Sequence, residues 1–163
     1  MYAVEDQWSA VLDRGGVVDF FGSRFDVPLQ RRFGDLASVR RYVEAVLALP
    51  GVVGSFPDAP TVAVRERAGQ TKAHYEPATG TIAVPLRSVW AARESVILHE
   101  IAHHLAFTAG LGPDADVQDR PGWHGPDYRR TMCELVAVVM GDPAAFLLRA
   151  GYESAGLVVG ARP

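Results

Sequence analysis

Apolar positions in the first third of the chain alternate between helical and strand spacing. Their recurrence predicts a helix over 2–14, followed by extended segments over 17–21 and 25–27. A second amphipathic helix is predicted over 35–49, because an Asp or a Ser near its start can cap it. The stretch 51–60 is rich in Gly and Pro and is therefore predicted to be a loop.

The middle of the chain has the pattern of a small sheet. Residues 61–67 alternate between apolar and polar, as expected for a half-buried strand. Two further extended runs, 73–75 and 81–84, are separated by a turn-forming segment and predict a hairpin. Pro85 ends the second run because proline cannot donate a hydrogen bond to a neighbouring strand.

The remainder of the chain is predicted to be mainly helical. A long helix is expected over 88–109, then an exposed loop over 111–122, and two more helices over 127–140 and 142–149. The residues after the last helix are expected to be loosely held. Helices, a small sheet and further helices in this order indicate the α+β class, as one domain over residues 1–163.

Composition narrows the possible classes of function. The 163 residues are 48% hydrophobic and 21% charged, which is typical of a globular protein and excludes a disordered chain or a membrane-spanning one. A single cysteine excludes a disulfide scaffold and a cysteine-rich zinc ribbon. The net charge of −3 gives no overall attraction for nucleic acid. The acidic N-terminus lacks the pattern of a secretory signal, so we expect a cytoplasmic protein.

The strongest chemical signal is an HExxH motif in the middle of the long predicted helix. His99 and His103 are four residues apart and so share one helix face, where both imidazoles can bind one metal ion. Glu100 is rotated by about 100° from His99, beside the metal, where its carboxylate can take a proton from a water molecule. Neutral imidazoles favour zinc, so we expect one zinc ion per chain.

A catalytic zinc ion needs a third protein ligand, and the sequence offers two candidates. His124 lies where the predicted loop meets the next helix, and Glu134 lies on that helix. Either would complete a site with three protein ligands and one open position. His104 points to another face of its helix and is expected to be exposed to solvent or to lie behind the ligands. His74, on a strand, is expected at the surface.

Residues 88–135 resemble the catalytic core of the SprT/Spartan-type zinc metalloproteases. In that family the HExxH helix is followed, after a variable loop, by a His-Gly-Pro-acidic-aromatic segment, and residues 124–128 of this chain read His-Gly-Pro-Asp-Tyr. The resemblance implies a zincin-like fold, in which a small mixed or antiparallel sheet packs on the HExxH helix with further C-terminal helices. It also implies His124 as the third zinc ligand and Glu100 as the general base. The chain is similar, too, to small uncharacterised actinobacterial metallohydrolases.

The resemblance extends to the substrate but not to DNA. It implies a peptide or protein substrate, which could pair with an exposed sheet edge at Thr81–Val84. Tyr128 is a candidate donor to the oxyanion, with Tyr75 and His74 as alternatives. The chain is net acidic and has one cysteine. We therefore do not carry over the family's action on DNA-linked proteins, and we expect no nucleic-acid partner.

Two functions follow as hypotheses. The first is a zinc-dependent metallohydrolase, most simply a metallopeptidase with Glu100 as general base. The alternative is a zinc-binding regulatory or interaction protein that turns nothing over. The complete HExxH motif favours the enzyme, because a purely structural zinc site has no need of Glu100 and has four protein ligands. A fourth ligand, such as Glu134 or Asp127, would indicate the binding protein.

Overall fold

The computed structural model describes residues 1–69, 72–111 and 123–161. Within them lie helices and strands in the following order: α1 (Tyr2–Leu12), β1 (Gly16–Phe20), β2 (Ser23–Val27), α2 (Leu36–Leu47), α3 (Pro50–Ser55), β3 (Ala63–Glu66), β4 (His74–Glu76), β5 (Thr81–Val84), a 3₁₀ turn (Val89–Ala92), α4 (Glu94–Thr108), α5 (Pro126–Met140) and α6 (Asp142–Ser154). This confirms the α+β class. The zincin-like arrangement stays a prediction.

The strands form two small sheets, and the order of the larger one overturns a prediction. β1 and β2 make an antiparallel hairpin, whereas the second sheet has the order β3-β5-β4. β5 pairs in parallel with β3 and antiparallel with β4, and all its residues are buried. The prediction that Thr81–Val84 offers an exposed edge to a peptide is therefore wrong, because strands cover β5 on both sides. An open edge belongs instead to β4.

Helix α4 lies in the interior and positions the HExxH motif. Its apolar residues surround the helix axis, and Ile97, Leu98, Ile101 and Leu105 are fully buried. Such a helix is a core element, since an apolar surface on every side must be covered. It contacts α5, β4, α2 and the 3₁₀ turn. The buried polar residues of α4 consequently face other protein groups and the cleft described below.

Helices α1 and α6 pack closely, which fixes the N-terminal helix against the body of the protein. The indole Nε1 of Trp8 donates a 2.9 Å hydrogen bond to the carbonyl of Ala144. A Cβ at Gly151 would lie 2.9 Å from Cγ1 of Val4, so glycine permits this close approach. The prediction that the last helix ends before Gly151 is wrong, because this glycine serves packing and the helix continues to Ser154.

Other differences from the sequence predictions concern helix ends. At the start of α2 the prediction allowed an Asp or a Ser as the cap. Asp35 takes this position, and its side chain accepts a hydrogen bond from the backbone of Ser38. The predicted loop over 51–60 contains most of α3, because Pro50 takes the first position of a new helix, where its missing N–H costs nothing. The long helix begins at Glu94 and not near residue 88, because a 3₁₀ turn precedes it.

The segment after α6 is bound to α5, in contrast to the prediction of a loose tail. Arg129 Nε donates to the carbonyl of Val158 at 2.7 Å, and the backbone N–H of Gly160 donates to the carbonyl of Pro126 at 2.9 Å. The predicted loop over 111–122 lies outside the described residues from 112 onward. None of the described helices has both the length and the apolarity needed to cross a membrane.

Replacing Trp8 by Ala is expected to lower the free energy of unfolding by about 3–5 kcal/mol, because it opens a cavity between α1 and α6 and removes a hydrogen bond. Urea denaturation would measure the change. Phe21→Ala is the matched control, since Phe21 is 95% exposed and its loss should change stability by less than about 0.5 kcal/mol. Equal stability of the two variants would contradict the close packing of α1.

Candidate metal centre

Helix α4 and the turn before α5 bring three histidine side chains together. The Nε2 atoms of His99 and His103 lie 3.1 Å apart, those of His103 and His124 3.0 Å, and those of His99 and His124 3.4 Å. Among the described residues, these three form the group of His, Cys, Asp or Glu side chains close enough to hold a metal ion. Glu134, the other candidate for third ligand, is not part of this cluster.

The dimensions of the histidine triangle suit zinc. A tetrahedral zinc ion with zinc–nitrogen distances of about 2.0–2.1 Å holds neighbouring ligand nitrogens about 3.3–3.4 Å apart. A neutral imidazole presents either one proton or one lone pair at Nε2, so three such atoms cannot satisfy one another within a closed triangle. A metal ion accepts all three lone pairs at once. The donor set therefore fits zinc, and the identity of the ion stays a prediction.

The turn that carries His124 is held by the start of α5 and by neighbouring aromatic rings. Pro126 takes the first position of α5, and Arg129 Nη1, one turn further on, donates to the carbonyl of His124. The ring of His103 stacks on Tyr128 with centroids 4.3 Å apart, and the edge of Trp123 lies against it at 5.5 Å. These contacts fix both the backbone of His124 and the ring plane of His103.

Helix α1 supports His99 from the side opposite the triangle. Oε2 of Glu5 lies 2.7 Å from Nδ1 of His99, and the hydroxyl of Tyr152 donates a 2.5 Å hydrogen bond to Oε1 of the same carboxylate. A carboxylate on Nδ1 holds a proton there, so Nε2 is the nitrogen that can lose its proton and bind a metal ion. The sequence analysis missed Glu5 and Tyr152, because neither shows any spacing relation to the HExxH motif.

Burial and the Glu5 carboxylate set the protonation of the histidines. Burial lowers the pKa of His103 well below its usual value and that of His124 to about 4, and mutual repulsion with His99 acts in the same direction. Both rings are therefore neutral, which is the form that binds metals. Burial also opposes the charged form of His99, but the Glu5 carboxylate outweighs it and raises the pKa of His99.

Glu100 lies buried beside the triangle, between α4 and β4. Its side chain is 4% exposed, and its carboxylate accepts a hydrogen bond from the backbone N–H of Tyr75. Burial raises the pKa of Glu100 to about 7, although His99, the Tyr75 N–H and Arg67 favour the charged form. A carboxyl group with this pKa can accept and return a proton near neutral pH.

The side chains of the candidate oxyanion donors already have hydrogen-bond partners. The hydroxyl of Tyr128, which is buried, lies 2.7 Å from Nδ1 of His99. The hydroxyl of Tyr75 lies 3.2 Å from Nδ1 of His104. The ring nitrogens of His74 contact Arg67 and a glutamate on the same strand. Tyr128 is thus placed to orient His99, and its predicted catalytic role stays a prediction.

His104 belongs to the core and not to the surface. It is 0% exposed, and its Nε2 lies 2.9 Å from the carbonyl of Pro60. The prediction of solvent exposure is therefore wrong. The helix face next to the one that carries His99 and His103 packs against the sheet and the segment before β3, so His104 has a structural partner at each ring nitrogen.

A cleft of about 210 Å³ adjoins the triangle and carries two residues that the sequence analysis missed. Tyr2 stacks on His99 at 5.9 Å and lies edge-on to His124 at 5.2 Å. Arg67, at the end of β3, lines the same cleft, with Nη1 donating to the carbonyl of Lys72 at 2.7 Å. In the sequence, Arg67 has only the pattern of an outward-facing residue that flanks a strand.

The description of the His99–His103–His124 triangle and of the buried Glu100 rests on the structure of this chain alone. Comparison of the sequence with protein-family models and with curated proteins, and of the fold with solved structures, finds no match.

Proposed function

We propose that the protein is a zinc-dependent metallohydrolase that hydrolyses peptide bonds. The observation that carries this proposal is the convergence of three Nε2 atoms within 3.4 Å of one another, with a buried carboxylate beside them at a cleft. His99, His103 and His124 would hold one zinc ion. The proposal places this activity in the cytoplasm, in line with the sequence expectation.

Zinc bound at this centre would polarise the substrate carbonyl and make an attacking water molecule more acidic. Glu100 is the general base: its carboxylate takes a proton from that water and then passes it to the leaving nitrogen. The backbone N–H of Tyr75 holds the carboxylate in place for both transfers. A pKa near neutrality suits a group that must first accept a proton and then return it.

Arg67 is the residue best placed to stabilise negative charge that develops on the carbonyl oxygen. It lines the cleft with Glu100, and its Nη1 is fixed by Lys72 and by Nδ1 of His74 at 2.9 Å. A preorganised cation at such a position stabilises a transition state more than a mobile one. Tyr128 acts through His99 in this proposal, as a positioning residue.

An extended substrate would lie along β4 and not along β5. Ala73, His74 and Tyr75 line the cleft beside Glu100. The Tyr75 N–H bonds to Glu100, which supports the placement of this edge beside the cleft and leaves the other main-chain groups of β4 for pairing. Pairing of a peptide with an open strand edge supplies main-chain hydrogen bonds without regard to sequence. This arrangement supports a peptide or protein as the substrate class.

The alternative of a zinc-binding protein without turnover has less support. It requires a fourth protein ligand that closes the site. Within the described ranges the cluster contains three ligands, and Asp127 pairs with Arg130 at 3.4 Å with half of its side chain exposed. The resemblance to SprT/Spartan-type proteases stays an interpretation of the two motifs, and the three-ligand site agrees with it.

Elemental analysis of purified protein is expected to find close to one zinc ion per chain. His124→Ala should lose most of this metal, because two imidazoles remain, whereas Glu134→Ala should keep it. Circular dichroism would check that both variants are folded. Metal lost with Glu134 and kept without His124 would replace the three-histidine site by a site of two histidines and one glutamate.

Glu100→Gln is expected to keep zinc and to lower the rate of peptide hydrolysis by about 10²–10⁴-fold, because glutamine cannot accept the proton. A quenched fluorescent peptide library would measure the rate. Glu44→Gln on α2 is the control, since Glu44 is exposed and away from the cleft. Undiminished hydrolysis by the Glu100 variant would exclude this residue as the base.

Glu5→Gln is expected to weaken zinc binding by about 10–100-fold, because the amide no longer stabilises the proton on Nδ1 of His99. Competition with a chromophoric chelator would measure the affinity. Asp6→Asn removes the same charge from the exposed neighbouring position of α1 and should leave the affinity unchanged. Equal effects of the two substitutions would show that only the net charge matters.

A further inference from the structure

A second cavity, of about 370 Å³, opens directly beside the candidate metal centre. It lies between α1, α4 and the 3₁₀ turn before α4, and we call it the α1–α4 pocket. Its volume is within the range of about 300–1,000 Å³ that is usual for small-molecule sites. The residues shared by this pocket and the cleft are Tyr2, Lys72, Ala73, His99 and Glu100. The two spaces therefore meet at the base and one proposed ligand.

Because the pocket adjoins the cleft, its position determines which part of a bound substrate could enter it. A substrate whose carbonyl lies at the histidine triangle extends away from it in both chain directions. His99 and Glu100 line both spaces, so the pocket lies directly beside the place where the scissile bond would be held. A side chain next to the scissile bond is thus the part of a peptide that can enter the pocket.

Several polar groups of the pocket wall are already paired with other protein groups. Oγ of Ser9 lies 2.8 Å from Oγ of Ser95, and the amide of Gln30 donates to the same Ser9 oxygen at 3.0 Å. Arg93 pairs with Asp13 at 2.8 Å. The hydroxyls of Ser9 and Ser95 in the pocket wall are therefore already engaged by protein groups.

Another part of the wall is apolar or aromatic. Trp90 and Val96 are half-buried, and Tyr2 is 53% exposed at the entrance shared with the cleft. Val96 lies one helical turn before Glu100 and so on the same face of α4. Burying an apolar group between such surfaces is favourable in proportion to the area removed from water.

The charges around the pocket argue against an acidic occupant. The carboxylates of Glu5 and Asp6 both line it. Of the two cations in the wall, Arg93 is already engaged by Asp13, and Lys72 Nζ lies over the ring of Tyr2, 5.8 Å from its centroid. Arg93 Nε is buried and lacks a partner among the described residues, but the Nη2 group of the same guanidinium is fixed in its ion pair. An acidic side chain would therefore meet two carboxylates of its own sign.

We propose that the α1–α4 pocket is the specificity pocket of this metallopeptidase and binds a large apolar side chain, aromatic ones included, next to the scissile bond. This inference rests on the proposed function and adds the class of substrate. Val96 sets the depth available beside Glu100, and Trp90 and Tyr2 supply the aromatic surfaces. The N-terminal helix thereby contributes both the support of His99 and one wall of the pocket.

The experiment compares three simple hydroxamates, whose zinc-binding group is the same, by calorimetry on the zinc-loaded full chain. Acetohydroxamate reports the metal alone, 3-phenylpropanohydroxamate adds a ring, and the hydroxamate of succinic acid adds a carboxylate. We expect the phenyl compound to bind about ten-fold more tightly than acetohydroxamate, or better. The succinic compound should gain nothing.

Val96→Phe fills the pocket and should abolish the advantage of the phenyl compound, while the affinity for acetohydroxamate stays within about two-fold of wild type. Val53→Phe adds the same volume to the exposed face of α3 and should retain the advantage. Trp90→Ala, which removes another wall residue, should reduce it. The same variants would be tested on peptides with Phe, Leu, Ala or Glu at the position next to the cleaved bond.

The outcomes separate the two proposals. If acetohydroxamate fails to bind zinc-loaded protein, the proposed function falls and this inference with it. If acetohydroxamate binds but the ring adds nothing, or its advantage survives in both Val96→Phe and Trp90→Ala, the pocket assignment alone is overturned. A preference for the succinic compound would overturn it in favour of an acidic side chain bound by Arg93 or Lys72.

Discussion

The contact between Glu5 and His99 is the interaction on which the rest of the candidate site depends. A carboxylate withdrawn from water is costly unless its oxygens are paired, and here His99 takes one oxygen and Tyr152 the other. This requirement holds α1 against both α4 and α6. Because α1 is held there, Tyr2 reaches the histidine rings and a pocket forms between α1 and α4. The orientation of a proposed ligand and the shape of the neighbouring cavity thus have one common cause.

Helix α4 shows how one buried segment serves both chemistry and folding. His103 and His104 are consecutive, so their side chains leave the helix about 100° apart. His103 turns to the triangle, where the hydrogen-bond distances of its Nε2 to described residues are those to Nε2 of His99 and of His124. His104 turns to the sheet, where the carbonyl of Pro60 and the hydroxyl of Tyr75 satisfy both of its ring nitrogens. The contrast is informative, since a buried histidine with complete partners stabilises the fold, whereas one without them is available for a ligand.

The parts of the site that the sequence predicted are those encoded by short spacings. The four-residue separation of His99 and His103 dictates a shared helix face, and the segment around His124 was recognisable as a motif. Glu5, Arg67 and Tyr2 come from elements far away in the chain, and no periodicity connects them to α4. The same limit applies to the sheet: local alternation predicts that residues 61–67 form a strand but not that β3 returns to cover β5. The predicted helix end before Gly151 was wrong for a related reason, because this glycine allows close packing against Val4 of another helix.

Arg129 connects two segments that are distant in the sequence. Its Nε is bonded to the carbonyl of Val158, beyond α6, and its Nη1 to the carbonyl of His124. Through Arg129, the segment after α6 therefore supports the backbone of His124, although none of its side chains belongs to the triangle. Local opening of such a terminal segment requires far less free energy than global unfolding. Detachment of the segment after α6 would first appear as disorder at His124, while the helical core and both sheets remained intact.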